Sequence, residues 1–151
     1  MPDWLSLLPF VGAVIAVAMS GAVFMPGEWY RSLNKPSWTP PSWLFAPAWS
    51  VLYLLIAIAG WLVWTSAGLS AALAVWALNL VFNGLWSWLM FGRRQIGVAL
   101  IDAVAMLVTI VIFMLLARPL NETAMWLFAP YLVWVAFATA LNASILQRNR
   151  G

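Results

Sequence analysis

The sequence predicts an all-α membrane protein, one bundle of five transmembrane helices with an ordered long first loop. Three observations predict it. Of 151 residues, 66% are hydrophobic and only 7% charged, whereas a soluble domain carries about 25% charged residues. Apolar stretches recur along almost the whole chain, each near the ~20 helical residues that cross a hydrocarbon core of about 30 Å. The breaks between most of them are short and polar, as in Gly92-Arg93-Arg94-Gln95. A single domain, 1–151, accounts for the whole chain.

The first helix is expected at about 4–25. Met1-Pro2-Asp3 lacks the basic segment that opens a cleaved signal peptide, so this span is expected to be retained. The second helix is expected at 44–64, the third at 71–91, the fourth at 96–117 and the fifth at 123–146. Pro9, Pro47 and Pro130 fall inside these limits, and packed neighbours in a membrane helix can re-satisfy the backbone groups a proline releases. The connections 65–70, 92–95 and 118–122 are short, which makes sequential helices antiparallel neighbours.

The exception is 26–43. It holds four of the nine prolines together with Trp29, Tyr30, Trp38 and Trp43. Proline restricts its unfolded freedom and the aromatics supply apolar area to bury. An ordered lid over one end of the bundle follows, either covering a ligand or serving as a rigid interfacial loop.

Charge sets the expected orientation. With five spans the termini lie on opposite sides. Arg31, Lys35, Arg93, Arg94, Arg148 and Arg150 then fall on the side of the lid and C-terminus, and only Arg118, with Asp3 and Glu122, on the other. The positive-inside rule makes the lid and C-terminus cytoplasmic and the N-terminus opposite. The net charge of +3 is modest; the basic residues read as anchors against lipid headgroups, and no nucleic-acid partner is expected. The chain has no Cys and no His, which removes disulfides, thiolate nucleophiles, zinc sites and His-ligated haem. No metal site and no required cofactor are expected.

Twelve tryptophans are many for this length. Trp4, Trp64 and Trp126 fit interfacial belts, but Trp49, Trp86 and Trp134 fall inside spans. Asn79, Asn83 and Trp86 are spaced i, i+4, i+7 and share one helix face. Amides facing hydrocarbon would be left unsatisfied, so both are expected to face the interior. There they either bond helix to helix or line a cavity, and a large ring on the same face favours a cavity. Trp49 and Tyr53 form an i, i+4 pair. Trp134, Ala138 and Leu141 repeat i, i+4, i+7. Each stripe alone reads as helix packing; together they suit a flat, largely apolar ligand with polar edges. Asp102 is the one acidic or basic residue well inside a span, a structural pair or a proton relay in waiting. A structural role, with Arg93, Arg94, Arg148 or a lid group as partner, is favoured, because one acid without a second carrier makes a poor relay. Ala16-x3-Ser20 and Ala136-x3-Ala140 fit small-residue helix contacts.

These residues also resemble a family. Trp29-Tyr30-x2-Leu33-Asn34-Lys35-Pro36-Ser37-Trp38-Thr39-Pro40-Pro41-x-Trp43 is similar to the first-loop signature of the translocator protein family (TspO/MBR, tryptophan-rich sensory or peripheral benzodiazepine receptor proteins). Trp49-x2-Leu52-Tyr53, Asn79-x3-Asn83-x2-Trp86-Ser87, Phe91-Gly92, Ala99-Leu100-x-Asp102 and Pro130-Tyr131-Leu132-x-Trp134-x-Ala136-Phe137-Ala138-Thr139-x-Leu141-Asn142 continue it in order. The resemblance implies five spans, a homodimer, and a pocket beneath the first loop for porphyrins such as protoporphyrin IX and for isoquinoline- or benzodiazepine-type ligands. It implies that Trp49 and Trp134 serve porphyrin binding and light-dependent porphyrin breakdown. It implies that Tyr53, Asn79, Asn83, Trp86, Ala138 and Leu141 line the pocket and that Trp38, Pro41 and Trp43 bind the ligand from the lid. Ala143 follows Asn142 where the family's sterol-linked segment has Tyr, so sterol recognition through 141–148 is not expected. The expected function is capture of tetrapyrroles by a membrane sensor, carrier or regulator. The alternatives are a light- and oxygen-dependent porphyrin-degrading enzyme and, third, a proton-coupled transporter using Asp102.

Overall fold

The computed structural model describes residues 3–150. Five helical spans run Trp4–Val23, Ser42–Ala67, Ala71–Gly92, Ile96–Ala117 and Glu122–Arg148, each long and apolar enough to cross a membrane. Among the described residues there is no strand. The chain is an integral multi-pass membrane protein.

The prolines explain how these spans are built. A 3₁₀ turn, Asp3–Leu7, leads into helix α1, Leu8–Val23, with Pro9 in its first turn, where no backbone N–H is needed. The lid carries one helical turn, α2, Glu28–Ser32. A 3₁₀ turn, Ser42–Leu44, then enters α3, Phe45–Ala67, and Pro47 again falls in the first turn. Helix α3 stops at Gly68, whose φ of 64° suits a residue without a Cβ. Helix α4, Ala71–Ser87, is capped by Ser70 Oγ, which accepts from the Leu73 N–H. It ends in a π-helical turn, Trp88–Gly92. Helix α5 is Ile96–Ala117.

The last span corrects the expectation of one unbroken helix at 123–146. It is two helices, α6, Glu122–Leu127, and α7, Ala129–Arg148, broken at Phe128. Pro130 has no N–H, and inside a continuous helix its ring would meet the Trp126 carbonyl. At the start of α7 it costs nothing. The break turns Phe128 fully inward, where its ring lies 4.2 Å from Phe113 and 5.2 Å from Tyr131.

Helix α1 packs on α3 and α4, α4 on α5, α5 on α7, and α6 on α3. Ser20 Oγ donates to the Gly84 carbonyl at 2.7 Å, so of the small pair Ala16/Ser20 the serine is used within the chain, while Ala16 is exposed. Ala136 and Ala140 lie on the outer face of α7. The interior of the half away from the lid is close-packed, with an open groove on its surface beside Phe10 and Leu73. Trp76 Nε1 donates to the Ile56 carbonyl at 2.9 Å, Phe10 packs edge-on against Trp76, and Val63, Phe113 and Phe128 are fully buried. The lid half is different. There α3 and α7 meet through rings, Trp49 against Tyr131 and Trp134, and Phe45 against Trp134. Rings that size hold the helices apart.

The lid is fastened at several points. Lys35 Nζ donates to the carbonyls of Tyr30, Arg31 and Leu33 and sits 4.8 Å from the Tyr30 ring centre. The Asn34 N–H donates to Asn149 Oδ1 at 3.0 Å, and Asn149 Nδ2 donates back to the Asn34 carbonyl at 2.9 Å. Trp38 packs edge-on against Phe137, and Arg94 lies over Trp29. The lid and the C-terminal end of α7 therefore occupy the same end of the bundle.

Candidate ligand cavity

Between the separated helices lies a cavity of about 440 Å³, within the roughly 300–1,000 Å³ typical of small-molecule sites. All five spans contribute, each through its lid-end half: Gly21 from α1, Tyr53 from α3, Asn83 from α4, Met106 from α5 and Trp134 from α7 among them. Tyr30 and Pro26 of the lid close the top. The hollow has a sequence cause. Small residues (Ala18, Gly21, Ala22, Ala46, Ala103, Ala138) form much of the wall, and large rings prop its sides. It reaches the surface between α1 and α3, where Ala22, Met25, Ala46 and Ser50 line it and are exposed.

Among the described residues, no acidic or basic side chain lines the cavity. Burial pushes the Tyr30 hydroxyl in the roof above its usual range. The walls are aromatic. Trp49 stacks on Tyr53 at 5.4 Å and meets Trp134 edge-on at 6.3 Å. Trp86 stands edge-on to Phe91. Several of the polar groups are committed to one another or to the backbone. Trp86 Nε1 donates to Asn142 Oδ1, and Asn142 Nδ2 donates to the Ile96 carbonyl. Trp134 Nε1 differs: it is buried and has no partner, a state that costs about 1–3 kcal/mol unless a bound group accepts from it.

The sequence-predicted residues separate into two groups. Trp49, Tyr53, Asn83, Trp86, Trp134, Ala138 and Leu141 line the cavity. Asn79, Trp38, Pro41 and Trp43 do not. Asn79 is fully buried behind the wall and bonded to Tyr131, Thr109 and the Met106 carbonyl. Trp38 and Pro41 are exposed on the lid, and Trp43 is 72% exposed. Asp102 is buried, with Oδ2 unpartnered, and among the described residues no ion pair joins it to Arg93, Arg94 or Arg148. Sequence reasoning missed Phe45, Asn142 and Tyr30 in the cavity wall, and Tyr131, fully buried behind it. For two of them a signal existed: Tyr131, Trp134, Val135, Ala138, Asn142 and Ile145 form one i, i+3, i+4 stripe along α7.

A polytopic helical bundle with a lidded, uncharged, tryptophan-walled cavity is the class that fold and site define. The sequence profile of the TspO/MBR family matches residues 7–148. The chain is 40% identical over 147 residues to the tryptophan-rich sensory protein of Cereibacter sphaeroides, covering 97% of this chain and 93% of that one. It is 37% identical over 149 residues to protein CrtK of Rhodobacter capsulatus, covering 94% and 91%. It is 34% identical over 158 residues to the human translocator protein, covering 99% and 94%. The chain belongs to the TspO/MBR family.

Proposed function

We propose that this membrane protein captures porphyrin-like tetrapyrroles in the lidded cavity and acts as a sensor, carrier or regulator of their level. One observation carries the reading: a neutral hollow walled by Trp49, Tyr53, Trp86 and Trp134, with the Trp134 N–H left without a partner. Flat aromatic surface stacks on such walls. The orphan donor suits a carbonyl or carboxylate at the edge of an otherwise apolar ligand. The gap between α1 and α3 gives an apolar molecule a way in from the acyl chains. The names of the relatives, a tryptophan-rich sensory protein and a translocator protein, support a sensing or carrying role at a membrane.

The test is quenching of tryptophan fluorescence by protoporphyrin IX in detergent. Wild type is expected to bind saturably, and Trp49→Phe and Trp134→Phe each to bind at least about twofold more weakly, since an aromatic contact contributes roughly 0.5–1.5 kcal/mol. Unchanged affinity in both variants removes this cavity as the porphyrin site.

A further inference from the structure

A chain of hydrogen bonds runs from the cavity floor through four helices, and one end of it is fixed. Asn79 Nδ2 lies 3.1 Å from the Met106 carbonyl oxygen. A carbonyl oxygen only accepts, so the Asn79 amide has one orientation here, and its Oδ1 faces Tyr131. The Tyr131 hydroxyl must then donate to Asn79 Oδ1, at 2.9 Å. Its oxygen accepts from Asn83 Nδ2 at 2.8 Å, which turns Asn83 Oδ1 toward Tyr53. Tyr53 therefore donates its single proton to Asn83 Oδ1, at 3.0 Å. Thr109, which accepts from Asn79 Nδ2 at 2.9 Å, repeats the anchor, because its one proton is shared between the Ala105 and Met106 carbonyls. Each direction follows from the one before it, and none depends on where a hydroxyl hydrogen is drawn.

From this polarity we infer that Tyr53 presents its hydroxyl to the cavity as an acceptor only, and that Asn79, outside the cavity wall, sets this preference for ligand groups that donate an N–H or O–H at the floor. The inference rests on the cavity being the ligand site. The site is then two-sided: an acceptor at Tyr53 and the donor-only Trp134 Nε1, with the Trp49 ring in contact with both residues. Asn79 and Tyr131 act as positioning residues through Asn83. Replacing Asn79 by Leu leaves Tyr131 to donate to Asn83 Oδ1. The Asn83 amide turns over, its Nδ2 donates to Tyr53, and the Tyr53 proton becomes available to the ligand.

The test uses carbazole and dibenzofuran, flat tricyclic molecules of one outline that differ in a donating N–H against an accepting ring oxygen. Affinities are read by tryptophan quenching in detergent for wild type, Asn79→Leu and Tyr131→Phe. Trp134 is common to all three and cancels in the comparison. The carbazole-to-dibenzofuran affinity ratio is expected to fall at least about twofold in Asn79→Leu, from one net hydrogen bond of about 0.5–1.5 kcal/mol, and to fall by less in Tyr131→Phe. Tyr131→Phe, which removes a single hydroxyl, keeps the test in hand if Asn79→Leu does not fold. A purely structural role would weaken both probes together, and an unchanged ratio overturns the inference. Protoporphyrin IX is titrated alongside. Its failure to bind with a shifted probe ratio removes the tetrapyrrole reading alone, and its binding with a constant ratio removes the acceptor-only floor alone.

Discussion

Gly60 shows how one residue holds the solid half of the bundle shut. A Cβ built there would land inside the Trp76 indole, 2.6 Å from Nε1, in a region where Ile56 and Ala59 are fully buried and Trp76 nearly so. Gly60→Ala must push Trp76 away from the Ile56 carbonyl, so overpacking and a strained hydrogen bond act together. The expected loss is about 1–3 kcal/mol, read as a lower melting temperature in detergent; because the cavity lies at the other end, protoporphyrin affinity should be unchanged at temperatures where the variant is folded. Residue-level legibility follows the same divide. Asn83 and Trp86 on α4, and Trp49 and Tyr53 on α3, share helix faces that period 3.6 makes visible, and they line the cavity. Asn79 shares the Asn83 face but lies one turn deeper, and periodicity carries no information on depth. The lid residues Trp38 and Trp43 were beyond reach for another reason: an irregular segment has no period from which an inward side can be read.

At the level of elements, the five spans were readable because a bilayer imposes length and apolarity on each. The break at Phe128 was not, since a single proline is compatible with either a kinked or a divided helix and packing decides between them. The short helix α2 inside the lid was equally hidden; five residues are too few for a periodic signal. The lid itself yields a prediction. Its hydrogen-bonded link to the C-terminal end of α7 is the reciprocal pair between Asn34 and Asn149, while apolar contacts of Tyr30 among Met90, Leu141 and Ile145, and of Trp38 with Phe137, anchor it separately. Asn149→Ala removes the first link and leaves the second. Amides of 33–41 should exchange with solvent several-fold faster, from the loss of roughly 1–2 kcal/mol of local hydrogen bonding. The spans should melt as before. Exchange indistinguishable from wild type would mean that Tyr30 and Lys35 suffice to hold the lid.

For the whole molecule, the hollow half and the basic half coincide. The lid end carries Arg31, Lys35, Arg93, Arg94, Arg148 and Arg150 against Glu28 alone; the solid end carries Arg118 against Asp3 and Glu122. Short loops at both ends bring these charges within reach of the positive-inside rule, and the prediction from it is that the lid, and with it the roof of the cavity, faces the cytoplasm. A ligand leaving past the lid would then enter the cytoplasm, while the gap between α1 and α3 opens to the acyl chains, so orientation decides which compartment the cavity serves. The absence of cysteine makes the test clean. Ser37→Cys puts one thiol on the exposed lid, and Leu69→Cys puts one in the α3–α4 turn, where the native residue is 86% exposed. A membrane-impermeant maleimide applied to intact cells should label Leu69→Cys and spare Ser37→Cys, and inside-out vesicles should reverse the pattern. Labelling of Ser37→Cys from outside would invert the assignment and make the cavity a receptor for ligands arriving from the opposite side of the membrane. Equal labelling of both positions in intact cells would mean that the charge asymmetry does not fix a single orientation.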